Sequence, residues 1–103
     1  MYARVLRFDV GVGRPQAAEQ IARETQAAMG RHPGFQSMLL LADYLGGRYT
    51  LITYWDSGQH LYDFSYSPDA RKLEELLGAY MQKVPFFDTY VVYQPDEGLR
   101  TED

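Results

Sequence analysis

A chain of 103 residues is enough for one domain, and a domain of that size leaves about 35 to 40% of its unfolded surface in water. The formal net charge of -4 and a pI near 5.0 argue against phosphate-backbone binding, which needs clustered cations; the lack of cysteine excludes disulfides, a thiolate nucleophile and cysteine-held zinc or iron–sulfur sites. Hydrophobic content of 46% with 15% aromatic is high for an acidic chain, so much aromatic surface must go into a core, a ligand cavity or a partner.

The first ten residues, "MYARVLRFDV", carry Arg4, Arg7 and Asp9 where a signal peptide needs an unbroken apolar run. The longest apolar run, "MLLLA" at 38–42, is too short to span a bilayer. A cytoplasmic protein with neither membrane nor nucleic acid as partner is the expectation. Within residues 2–10, Arg4, Leu6, Phe8 and Val10 alternate with Val5, Arg7 and Asp9, a period of two that predicts a strand. "GVGRP" ends it; the third glycine of a dinucleotide fingerprint is missing, and Pro15 is well placed as a first helical residue. From Pro15 to Met29, Ala18, Ile21, Thr25, Ala28 and Met29 fall on one stripe of an amphipathic helix that "GRHPG" stops.

Phe35 to Tyr44 and Arg48 to Trp55 read as two strands around "LGG". A two-residue turn at Gly46 and Gly47 would set Leu41 opposite Ile52, Leu39 opposite Tyr54 and Ala42 opposite Leu51. Both faces of that hairpin are apolar, so cover is expected on both.

Next comes "YWDSGQHLYDFSYSP" at 54–68, dense in aromatics. Asp56 with Gln59 matches a capping box, with Ser57 as the alternative cap, and Trp55 and His60 then occupy the positions of a helix-entry staple. Ser67 before Pro68 predicts a break and a restart. The second segment should run to about Lys83 and bury Leu73, Leu76, Leu77, Tyr80 and Met81. An interrupted helix with more aromatics than one core stripe needs is a wall for a cavity between helix and sheet, or else simple filling beneath the helix. "PFFDTYVVY" at 85–93 reads as the last strand, and "QPDEGLRTED" as a polar ending.

The order β-α-β-β-α-β gives an α+β, ferredoxin-like fold with an antiparallel four-stranded sheet, one domain over residues 1–94 and a tail over 95–103. Right-handed crossovers put both helices on one sheet face. The other face is apolar with nothing in the chain to cover it, which predicts a two-fold homodimer joined sheet to sheet. His32 and His60, the only histidines, have no acidic cluster at ligand spacing, so no metal site is expected.

"HPGFQSMLLL", "YWDS", "SPDARKLEELLGAYM" and "PFFDTYVVY" together resemble the antibiotic biosynthesis monooxygenase family over residues 3–94. The resemblance implies a dimeric α/β barrel with a cavity between sheet and helices in each subunit. It also implies a cofactor-free monooxygenase acting on a small phenol or hydroquinone, or a heme-degrading enzyme, or a member without activity. On the first implication His60 is the candidate base, Tyr62 and Tyr66 the hydrogen-bond donors, and Trp55, Phe64 and Tyr90 the ring-binding residues. The quinone-forming pattern has Asn and Tyr where this chain has Leu51 and Leu61, with Tyr62 one residue away. The heme-degrading pattern needs Asn on the first strand, Trp where Phe64 stands and a later His; the chain has no asparagine at all, which disfavours that activity. A non-catalytic dimer that binds a small apolar ligand, or is purely structural, is the competing expectation.

Overall fold

The computed structural model describes residues 1–81 and 86–95. The chain runs β1 (Tyr2–Asp9), α1 (Pro15–Met29), β2 (Phe35–Asp43), β3 (Arg48–Trp55), α2 (Gly58–Ser65), α3 (Pro68–Tyr80) and β4 (Phe86–Val91). The four strands lie in the order β2-β3-β1-β4 with antiparallel neighbours, the ferredoxin-like topology expected from the sequence. The expected helix end near Lys83, the start of the last strand at Pro85 and the tail from Asp96 onward lie outside the described residues.

Register sorts the strand residues onto two faces. Tyr2, Arg4, Leu6 and Phe8 of β1 sit beside Trp55, Thr53, Leu51 and Tyr49 of β3, and this face carries the helices. The apolar stripe of α1 is buried as expected, from Ala18 and Ile21 through Thr25 to Ala28 and Met29. Burial of one large apolar side chain such as Ile21 or Leu51 is worth about 1.5–3 kcal/mol. The core divides along the length of α1: Ile21 belongs to a cluster with Leu6, Phe8, Tyr49 and Leu51, and Met29 to one with Trp55, Leu61, Phe64 and Leu73. Of the expected inner side of α3, Leu73 and Leu77 are buried, while Leu76, Tyr80 and Met81 pack at the margin.

The β2–β3 hairpin differs from the expected one by two residues. Leu41 stands opposite Thr50, Leu39 opposite Ile52, and Ala42 opposite Tyr49. Asp43 is the reason: its side chain accepts from the Gly46 amide at 3.0 Å, its carbonyl accepts from Gly47 at 2.9 Å, and its carboxylate pairs with Arg48. An aspartate that bonds the backbone of its own turn favours this longer loop over a tight Gly-Gly turn. A shift of two keeps every side chain on its expected face, so the two-sided apolar pattern survives. Gly47 has φ 71°, and a Cβ there would strike the Gly11 backbone, so glycine is required on both counts.

At its other end β2 bulges between Phe35 and Ser37. Ser37 pairs with Tyr54 on the open face, whereas Phe35 pairs with Trp55 on the helix side and meets its ring edge-on at 5.6 Å. The extra residue has turned Phe35 into the core.

The helix after β3 breaks where Ser-Pro predicts. Its cap is Ser57, the alternative, whose Oγ accepts from the His60 amide at 3.1 Å. Ser67 performs both tasks at the break: its hydroxyl donates to the Phe64 carbonyl at 2.6 Å and accepts from the Ala70 amide at 3.2 Å. The end of α2 and the start of α3 are thus joined through one hydroxyl. Among the described residues, no helix is long and apolar enough to cross a membrane.

Candidate functional site

A cavity of about 590 Å³ opens between the sheet and the helices, at the seam where the two core clusters meet. Its floor is formed by Arg4 and Leu6 of β1, Leu51 and Thr53 of β3, and Phe87 and Thr89 of β4. Thr25 and Met29 of α1, Leu61 and Phe64 of α2, and Leu73 and Leu77 of α3 enclose it from the helix side. Tyr62 and Tyr66 are exposed members of its lining and form the rim. The rings of Tyr62 and Tyr66, one helical turn apart, lie 4.6 Å from each other at a tilt of 43°. Among the described residues of the wall, Glu74 is the one carboxylate.

Of the six residues singled out from the sequence, three reach this cavity: Tyr62, Phe64 and Tyr66. Trp55 is fully buried one layer behind, with its ring 5.4 Å from that of Phe64, and its Nε1 donates to Thr53 Oγ1 at 3.1 Å. It supports the wall without lining it. His60 does not pack as a staple on Trp55; its Nδ1 lies 2.7 Å from Asp56 Oδ1, beside Gly34, whose φ of 88° brings the backbone close to both side chains. That pairing holds the imidazole outside the lining, and it lowers the Asp56 carboxyl below the usual carboxylate range. Tyr90 points to the opposite sheet face, because it pairs with Ala3, and its hydroxyl donates to Asp88 at 3.0 Å.

The back of the cavity is fastened by a cluster the sequence did not single out. His32 Nε2 lies 2.9 Å from Asp69 Oδ2, and Arg31 Nη2 donates to Asp69 Oδ1 at 3.1 Å, tying the segment after α1 to the first turn of α3. The His32 hydrogen bond, followed by that from Arg31, lowers the Asp69 carboxyl below its usual range. The His32 ring also meets Phe64 edge-on at 4.9 Å, so Phe64 is gripped between His32 and Trp55.

Arg4 is a second residue that the sequence pattern did not mark as functional. Its Nη1 donates to Ser65 Oγ at 2.7 Å, and Ser65 in turn donates to the Leu61 carbonyl. Burial lowers the guanidinium pKa from its ordinary value. The signal was in the alternation of β1, where an arginine occupies the same inward face as Leu6 and Phe8. Among the described residues, no group of three or more His, Asp or Glu is placed to hold a metal ion.

Residues 1–76 match the sequence profile of the family ABM, antibiotic biosynthesis monooxygenase. The chain belongs to the antibiotic biosynthesis monooxygenase family. No curated protein matches it. Among solved structures it is similar to SnoaB, a cofactor-independent oxygenase from Streptomyces nogalater, with a TM-score of 0.76 at 22% identity over 90% of this chain and 93% of that one. It is also similar to a monooxygenase from the gene ActVA-Orf6 of Streptomyces coelicolor, solved in complex with the ligand nanaomycin D, with a TM-score of 0.69 at 21% identity over 86% of this chain and 84% of that one. Rv0793 from Mycobacterium tuberculosis shares the fold with a TM-score of 0.66 at 19% identity, over 90% of this chain and 95% of that one. At these identities the likeness is one of fold.

Proposed function

We propose that the chain is a cofactor-independent monooxygenase that oxidises a small phenol or hydroquinone-like compound inside the cavity between sheet and helices. The observation that carries this reading is the cavity itself: about 590 Å³ of mostly apolar space with tyrosine hydroxyls at its rim and a few polar groups on its floor. Family membership supports the same chemistry, and SnoaB, a cofactor-independent oxygenase, carries its activity on the same fold.

In this reaction the substrate supplies the electrons. Loss of the phenolic proton gives a phenolate; its ring carbon bonds to O2, a hydroperoxide forms after proton return, and loss of water leaves the quinone. A phenol and one O2 thus become a quinone and one water. The protein has to take the proton, stabilise the anion and keep bulk water out. Glu74 on the wall takes the proton in this reading, Tyr62 and Tyr66 donate to the phenolate, and Phe64 presents a ring face to the substrate. Trp55 and His60 act indirectly, Trp55 by backing Phe64 and His60 by fixing the start of α2.

The open sheet face, with Leu39, Leu41 and Tyr90 exposed, supports assembly into a two-fold dimer. Light scattering on the purified chain tests this, and a monomer at micromolar concentration overturns it.

A second reading, a dimer that binds a small apolar ligand without turning it over, is favoured by Leu51 and Leu61. Both are buried on the cavity wall, at places where the quinone-forming pattern puts Asn and Tyr. Oxygen uptake with a panel of phenols and hydroquinones separates the two. Uptake above the blank that falls in Tyr62→Phe and Glu74→Gln supports catalysis; uptake equal to the blank throughout leaves the binding reading.

A further inference from the structure

The floor of the cavity carries one polar row beside an apolar one. Across the sheet, Arg4 pairs with Thr53 on one side and Thr89 on the other, and all three line the cavity. The next lining row on the same face is Leu51, Leu6 and Phe87. A charged group in such surroundings interacts more strongly with a partner than it would in water.

Arg4 lacks the partner that a structural arginine has. Three residues along the same strand, Arg7 faces the other side of the sheet and pairs with Asp88 at 3.0 Å. Arg4 makes no ion pair among the described residues; Ser65 takes one of its five N–H groups, its Nε is enclosed with no hydrogen-bond partner, and the other Nη1 and both Nη2 N–H groups are left for a ligand. An enclosed donor left in that state is costly, and a half-buried guanidinium ordinarily gains an anionic partner. The neighbouring hydroxyl is set up in the same sense. Thr53 Oγ1 already accepts from Trp55 Nε1, so its own hydrogen is left to donate.

We propose that the row Arg4, Thr53 and Thr89 binds the carboxylate of an acidic aromatic ligand whose rings lie against Phe64 and reach toward Tyr62 and Tyr66. The proposal rests on the reading of the cavity as the ligand site and names the class of ligand it takes. One guanidinium fork matches one carboxylate in charge and in geometry. A phosphate dianion would bring a second negative charge toward a wall that holds Glu74 and, among the described residues, no second cation.

Isothermal titration of the full chain at neutral pH with 2-naphthoate and with its neutral isostere 2-naphthamide tests this. The wild type should bind the acid about tenfold more tightly than the amide, the gain of a charge-assisted hydrogen bond. Arg4→Gln should erase that preference, and Arg4→Lys should restore part of it. Thermal unfolding of each variant checks that it is folded, and Thr89→Val, at an exposed edge-strand position, should weaken the preference even if Arg4→Gln fails to fold. Equal affinities in the wild type, or a preference that survives in Arg4→Gln or is unchanged in Thr89→Val, overturn the carboxylate assignment and leave the cavity as a ligand site. If neither compound binds, the cavity reading falls and the carboxylate assignment falls with it.

Discussion

The two faces of the sheet are built from the same alternating strands but have different fates. On the helix face Trp55 and Leu51 are 0% and 2% exposed, and the polar residues Arg4, Thr53 and Thr89 gather in one row at the cavity floor. On the other face Leu39 and Leu41 are 52% and 54% exposed, and the charged residues Arg7 and Asp88 pair with each other. Even there the centre is dry: Ala3 and Val5 are buried because Tyr54 and Tyr90 flank the first, and Ile52 and Asp88 the second. The lesson is that apolar side chains alone do not identify the functional face. The cavity side is distinguished by polar groups within an apolar setting, among them an arginine with no ion pair among the described residues, the open side by apolar groups without cover.

The contrast is broken most severely by Trp55→Ala. The ring fills the space between Phe35 and Phe64, so its loss should cost about 3–5 kcal/mol in denaturant unfolding and loosen the cavity wall. Glu74→Gln comes next, with kcat for a turned-over phenol falling about 100-fold, in line with the loss of a general base, while thermal stability stays close to wild type because the side chain is exposed. His60→Ala should leave the same rate nearly unchanged. A large loss of activity there would return the imidazole to the chemistry.

On the open face, Leu39→Glu with Leu41→Glu should convert a dimer to a monomer in light scattering, since two carboxylates placed in an apolar interface are left unpaired. At the helix break, Ser67→Ala removes the cap of α3 and its link to Phe64, at a cost of about 1 kcal/mol. The smallest effect is one of pH. Because His32 and Arg31 depress the folded pKa of Asp69, its contribution to stability is present above the ordinary aspartate range and is lost as pH falls through the lowered folded value. Asp69→Asn should therefore lower stability in the neutral region, with the difference from wild type closing as pH falls through the lowered folded value, so that part of the acid limb of a stability–pH curve is flattened.

Much of this is legible in the sequence. The period of two in β1 and β3, the stripe of α1 and the Ser-Pro break in the second helical region are local signals, set by which residues share a face and by the conformations proline allows. They locate the strands and helices, and their order implies the layered topology. The aromatic stretch was legible only in part. Its composition allowed either a cavity wall or simple filling beneath the helix, Trp55 and Phe64 look equivalent in sequence, and their separation into support and lining depends on how α2 docks. Arg4 was visible as a cation sharing a strand face with Leu6 and Phe8, yet nothing in the order of residues says that no carboxylate of the described residues meets it.

What the sequence alone determined is the set of faces: which residues of each strand and helix turn together, and hence that one sheet face would be covered and the other left apolar. Tertiary structure decided the rest, because register, helix docking and the presence or absence of a partner are properties of chain segments far apart in sequence. Asp43 moved the hairpin by two residues, a bulge turned Phe35 inward, and the seam between two core clusters left a cavity with Arg4 on its floor. Each of these follows from packing and hydrogen-bond satisfaction in three dimensions, where a side chain's worth is set by the groups that surround it.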